Sequence, residues 1–129
     1  MKPSVMMIVR NTEGLHNELH DLLNQYGCEL VIEESFGHGI EHAQNHFFNA
    51  IVLDTKVKDM ELKQAIKIFK NLDPNVKIIV TTDSTSKTLE TDVRKERIYY
   101  YHIYSFDPND LKLAIKSAIS NNIAPHIQN

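Results

Sequence analysis

Cysteine is nearly missing from this chain. Cys28 stands alone among 129 residues, so no internal disulfide can close, and a thiolate zinc site or redox pair cannot be built. A reducing compartment, and with it a cytoplasmic location, is the expected setting. Long apolar runs are absent too: the longest spans Val5 to Val9, far short of the roughly 20 residues a membrane helix needs, with no signal-type segment before it. The charge carries no basic block. Fourteen Lys and Arg are scattered among 17 Asp and Glu for a net −3, which argues against a phosphate-backbone partner. Only four glycines occur, in neither common pattern of a nucleotide-phosphate loop, and no nucleophile stands in register with a base.

The length and a 42% hydrophobic composition suit one globular domain with one core. Five short apolar, β-branched or aromatic runs read as strands: Val5–Val9, Cys28–Ile32, Ala50–Leu53, Lys77–Val80 and Tyr100–Ile103. Between them, helical spacing recurs. Leu15, Leu19, Leu22, Leu23 and Tyr26 predict a helix over Glu13 to Tyr26, stopped by Gly27. Ile40, Ala43 and Phe47 give a second helix its inner face, and Leu62, Ala65, Ile66, Phe69 and Leu72 a third, ended by Asp73-Pro74. From Ser84 to Arg97 only Leu89 and Val93 are large and apolar, so a fourth helix would be thinly attached. The last helix has Asp107 as cap, Pro108 in its first turn and a stripe of Leu111, Ala114, Ile115, Ala118 and Ile119. Residues 1–121 are expected to form the domain and 122–129 a polar tail or the start of a linker. Strands alternating with helices at this spacing predict an α/β fold with a parallel sheet covered on both faces and its chemistry at the carboxyl ends of the strands.

At that edge stand Arg10-Asn11 after the first strand, Asp54 ending the third, Thr81-Thr82 ending the fourth and Tyr104-Ser105 ending the fifth. The segment Ala50-Ile51-Val52-Leu53-Asp54-Thr55-Lys56-Val57-Lys58-Asp59-Met60, together with Asp73-Pro74-Asn75-Val76-Lys77-Ile78-Ile79-Val80, resembles the receiver domains of two-component response regulators from about Val5 to Ile119. The resemblance implies a flavodoxin-like doubly wound sheet in strand order 2-1-3-4-5 with five helices. It also implies that Asp54 is the phosphoacceptor equivalent, that the Lys56 carbonyl is a Mg²⁺ ligand position and that Thr82 is the hydroxyl that bonds the modified aspartate.

The departures fall on the same site. Receivers carry two acidic residues where Arg10 and Asn11 stand, and a lysine followed by proline where Tyr104 and Ser105 stand. Losing about two negative charges predicts weak or absent Mg²⁺ binding, and therefore no resident cofactor or metal. Tyr104 offers a neutral hydroxyl in place of an ammonium. Before Ser105 a trans peptide is expected, since the cis form costs roughly 3 kcal/mol without proline. Arg10 is placed to approach Asp54 and bring positive charge to it. Arg97-Ile98 replaces a small pair found in the family, and Tyr101 matches its switch aromatic.

The implied function is a non-enzymatic signalling module acting by protein contact, with a degenerate phosphorylation site. Its partners would be a histidine kinase, a phosphotransfer protein or an output domain, with a homodimer through the helix 4, strand 5, helix 5 face as a further possibility; neither nucleic acid nor membrane is implied. Two alternatives stay open: a working phosphoacceptor in a phosphorelay, and a small-ligand-binding or enzymatic flavodoxin-like domain. Tyr99 and Tyr101 are candidate interface residues, and strand alternation points them to one side with Tyr100 opposite. His38, His42 and His46, four apart, are expected on one exposed helix face, and His16 and His20 share that spacing. Neither set has a complete metal coordination sphere.

Overall fold

The computed structural model of the chain describes residues 2–10 and 15–120, with side chains for all of these except 15 and 16. Strands β1 (Ser4–Ile8), β2 (Glu29–Glu33), β3 (Ala50–Asp54), β4 (Lys77–Thr82) and β5 (Tyr100–Ile103) alternate with helices α1 (Leu15–Gln25), α2 (Phe36–Asn45), α3 (Leu62–Leu72), α4 (Lys87–Arg94) and α5 (Pro108–Ser120). All strand pairings are parallel, in the order β2-β1-β3-β4-β5. The expected flavodoxin-like topology is the one observed.

The β-branched runs lie between two layers because each strand sends alternate side chains to opposite faces. Met6, Ile8, Ile51, Leu53, Ile78 and Val80 pack with Phe36, Ile66, Phe69 and Val93. Val5, Met7, Val52 and Ile79 pack on the other face with Leu19, Leu23, Leu111 and Ile115. Fully burying each such aliphatic side chain contributes about 1.5–3 kcal/mol. The turn from α1 into β2 needs a left-handed residue, supplied by Gly27 at φ 64°.

Local capping sets several helix starts. The Ser35 hydroxyl accepts from the His38 N–H at 3.1 Å and the Ser86 hydroxyl from the Leu89 N–H at 3.1 Å. Asp107 Oδ1 accepts from the Asn109 N–H at 2.9 Å, as its capping position requires. The thinly apolar fourth helix does form, anchored by buried Val93 and tied to α3 by Lys63 and Asp92 at 3.1 Å.

Several local expectations are corrected. The second helix ends at Asn45, so Phe47 falls outside its inner face and is 54% exposed, while Phe48 enters the core. The three histidines do not share an exposed face. His42 is half-buried, with Nδ1 2.9 Å from Glu33 Oε2 and its ring edge-on to Phe48, while His46 lies beyond the helix. Leu72, at the end of α3, is exposed rather than inward. Residues 13 and 14, the expected start of the first helix, and the His16 side chain lie outside the described residues.

The tyrosines depart from simple alternation because Tyr99 precedes β5. Its hydroxyl meets Ser117 of α5 at 2.6 Å, whereas Tyr100 packs with the α1–α5 layer and Tyr101 with the opposite one under Arg94. Tyr101 is only 6% exposed, so the surface it was expected to offer is not available in this conformation. Arg97, just upstream, sits at φ 60°, a left-handed conformation that favours glycine, and its carbonyl accepts from Lys70 Nζ at 3.0 Å.

Candidate functional site

Strand parity decides which side chains meet at the carboxyl edge. Asp54 is the Cα partner of Thr81 across β3 and β4, so both project to the α1–α5 face along with Val52 and Ile79. On β5, His102 follows Tyr100 at an alternate position, and Tyr104, the residue after the strand, continues that alternation onto the same face. Asp54 is 2% exposed and Thr81 is fully buried.

A buried carboxylate must find donors inside the protein. Asp54 Oδ1 accepts from the Thr81 hydroxyl at 2.7 Å and from the Tyr104 hydroxyl, while Oδ2 accepts from the Lys56 N–H at 3.1 Å. The Tyr104 oxygen also lies 3.1 Å from Thr81 Oγ1, which closes a three-membered polar cluster. Burial, and then the hydrogen bond to Asp54, push the Tyr104 phenol far above its usual range. It therefore stays an O–H donor at any physiological pH.

The sequence-predicted site residues are partly brought together. Asp54, Tyr104 and the Lys56 backbone converge. Thr82 does not reach Asp54: it faces the other layer, where its hydroxyl meets Thr55 Oγ1 at 2.9 Å and accepts from the Ser84 N–H at 3.0 Å. In this unmodified state the threonine hydroxyl that Asp54 meets is that of Thr81. Consecutive residues of a strand point to opposite faces, and Thr81 shares the face of its Cα partner Asp54. Arg10 is exposed and forms no ion pair with Asp54, so the expected internal cation is not there. Asn11 lies outside the described residues.

Lys56 carries the charge on the loop after β3. Its Nζ lies 3.7 Å from Asp83 Oδ2 and 5.6 Å from the centre of the Tyr104 ring. Ser105 is exposed, and none of the described peptide bonds is cis. Behind Tyr104, the His102 ring lies edge-on to it at 6.3 Å and stacks on Tyr100 at 6.2 Å. His102 is 2% exposed, and burial lowers its pKa below the ordinary imidazole value.

No protein-family model matches the chain, and neither does any curated protein. Solved structures do match. A CheY-like response-regulator receiver domain from Methanospirillum hungatei superposes with a TM-score of 0.80 at 23% identity, over 94% of this chain and 96% of that one. The chain has the receiver-domain fold. The beryllofluoride-activated receiver-domain dimer of NtrC4 matches with a TM-score of 0.80 at 22% identity, over 92% of this chain and 97% of that one. The receiver domain of a sensor histidine kinase from Pseudomonas aeruginosa, which holds a magnesium ion in its active-site cleft, gives 0.74 at 13% identity, over 92% and 98%.

On the receiver fold, Asp54 ends the central strand at the carboxyl edge, which is where crevices of doubly wound sheets bind ligands. The carboxylate there is surrounded by hydroxyl and amide donors that are uncharged. Such an arrangement holds a carboxylate in place without placing a positive charge against it.

Proposed function

We propose that this chain is a receiver-like signalling module that acts through protein contacts, with Mg²⁺-dependent phosphorylation at Asp54 disabled. The observation that carries this reading is the double donation to Asp54 Oδ1 by the hydroxyls of Thr81 and Tyr104. Phosphoryl transfer to a carboxylate requires an oxygen lone pair free to meet phosphorus and a cation to neutralise the transferring oxygens. Here Oδ1 receives two O–H groups and is engaged at both of its lone pairs, Oδ2 receives one backbone N–H, and none of these donors is a cation.

The residues present do not fit a resident Mg²⁺. Hard divalent cations are held by several oxygen ligands, usually with more than one carboxylate, and the positions after β1 carry a guanidinium and a neutral amide instead. Asp83 Oδ2, the other carboxylate oxygen named on this edge, is paired with Lys56. Tyr104 supplies hydrogen bonding where a working acceptor site needs an ammonium charge.

A module of this kind transmits its signal by what docks on it. A histidine kinase, a phosphotransfer protein or an output domain is the partner class, and the α4–β5–α5 face, with Tyr99 at its edge and Leu113 60% exposed, is the candidate surface for self-pairing. A cytoplasmic setting belongs to the same proposal. Mg²⁺ with a small acyl phosphate, read by intact mass, tests the reading. No phosphoryl gain is expected; a stable gain that disappears in Asp54→Ala would overturn it in favour of a working phosphoacceptor.

A further inference from the structure

At the opposite, amino-terminal edge of the sheet, a cleft of about 280 Å³ lies between the end of α3, the start of β4 and the turn before β5. Three cationic side chains line it: Lys70 from the last turn of α3, Lys77 from the first residue of β4 and Arg97 from the turn. Among the described residues no acidic side chain lines it. Asp73, on the loop between α3 and β4, lies outside the lining and turns Oδ1 to the Asn75 N–H at 3.0 Å.

The three charges are not neutralised by the protein. Lys56, Lys63, Lys87, Arg94 and Lys112 each reach a carboxylate, whereas Lys70, Lys77 and Arg97 have no such partner among the described residues. Lys70 and Lys77 are half-buried, and their contacts are to neutral carbonyls: Lys70 Nζ donates to Arg97 at 3.0 Å and Lys77 Nζ to Asn75 at 3.4 Å. An ammonium has three N–H donors, so each keeps two, and the exposed Arg97 guanidinium keeps its full fork. Arg97 also sits at φ 60°, where glycine would be unstrained. Backbone strain of this kind concentrates at ligand clamps, and here it puts a guanidinium at the mouth of a cleft that already holds two ammonium groups.

We propose that this cleft binds a small phosphomonoester, its dianionic phosphate held among Lys70, Lys77 and Arg97 and its organic body against Ile98 and the Tyr99 ring. Three cations around one space favour a compact dianion over a single carboxylate, and the planar guanidinium fork matches phosphate oxygens. The Tyr99 hydroxyl is already bonded to Ser117 at 2.6 Å, which leaves its ring as a wall of the cleft. The volume lies just under the usual small-molecule range of roughly 300–1,000 Å³, which limits the body to about one ring. The site is independent of the chemistry at Asp54.

Backbone-amide NMR titration of the full chain with phenyl phosphate, without Mg²⁺, tests this at about pH 8, where the phosphate is dianionic. Phenyl sulfate, of similar shape and one charge fewer, is the comparison. The expected result is saturable shifts at residues 70, 75–78 and 97–99, with phenyl phosphate binding about fivefold or more tighter than phenyl sulfate. Arg97→Gly, which suits the backbone there, and Lys70→Met, which keeps the side-chain length, should each weaken phenyl phosphate about tenfold. Lys87→Met, at the carboxyl edge, should change it by less than about twofold. No saturation, equal affinity for the two anions, shifts centred on residues 54–56 and 81–82, unchanged affinity in Arg97→Gly and Lys70→Met, or an equal loss in Lys87→Met would each overturn the proposal. Should either cleft variant not fold, the other decides.

Discussion

Replacing Tyr104 by Phe removes one hydroxyl and keeps the ring. The ring contacts with His102 and with Lys56 Nζ are retained, so the change isolates the hydrogen bonds to Asp54 and Thr81. A hydrogen bond to a charged group contributes about 1.5–3 kcal/mol. Tyr104 is 36% exposed, so water enters in place of the lost hydroxyl, and the lower end, about 1.5 kcal/mol, is the expected loss. For a chain of this length that lowers the thermal midpoint by about 5 °C, measurable by calorimetry or urea unfolding. In an Asp54→Ala background the same substitution should cost at least about 1 kcal/mol less, because its main acceptor is already gone. A Tyr104→Phe loss below about 0.3 kcal/mol, or an equal loss in both backgrounds, would refute the view that this hydroxyl anchors Asp54. The alkaline limb adds a check. Tyr104 is raised from an ordinary value of 10.0, so its contribution is whole below pH 10.0 and is lost as pH climbs beyond it, a loss Tyr104→Phe should lessen.

Two further outcomes concern β5 and the turn that leads into it. His102 is held below its ordinary 6.5 by burial, with Asp110 opposing, so stability is complete above pH 6.5 and declines as pH falls through the folded value; His102→Leu should flatten that acid limb in urea titrations. Arg97 at φ 60° adopts a conformation costing most residues about 1–2 kcal/mol, part of which glycine returns as unfolded-state entropy. Arg97→Gly should therefore raise stability by about 0.5–1 kcal/mol, and a loss would place the strain elsewhere.

The strands were legible because each is a dense β-branched or aromatic run, and their alternation with helical spacing leaves few parallel topologies. Observed and predicted strand ends differ by at most two residues. What the sequence hid was parity and helix ends. Phe47 and Phe48 are adjacent and equally apolar, and no glycine or proline marks the stop at Asn45, so nothing local says which of them turns inward. Thr81 and Thr82 pose the same problem on a strand, and only the pairing of Asp54 with Thr81 across β3 and β4 resolves it. Tyr99 escapes the alternation because it precedes the strand, which begins at Tyr100 after the left-handed turn at Arg97. The site was legible as a set of substitutions around Asp54. Its geometry was not, because a tyrosine in place of a lysine says that charge is lost without saying where the hydroxyl goes.

Tyr104 gives the site a physical logic that the exchanged residues alone do not. A buried aspartate with no cation against it still needs donors, and the strand-end hydroxyls of β4 and the residue after β5 provide them. The same contacts link the two strands at their carboxyl ends, so the polar cluster ties β4 to the residue after β5 through Asp54.

The central claim is that Asp54 is occupied by its own neighbours and does not answer to Mg²⁺ or a phosphoryl group. NMR of the chain labelled at aspartate carboxyl carbons and backbone amides, titrated with Mg²⁺ and then beryllofluoride, tests it most directly. The account predicts that the Asp54 carboxyl signal and the amides of residues 54–56, 81–82 and 104 stay in place. A saturable displacement of those signals by Mg²⁺ alone, or slow-exchange doubling with beryllofluoride, would contradict it.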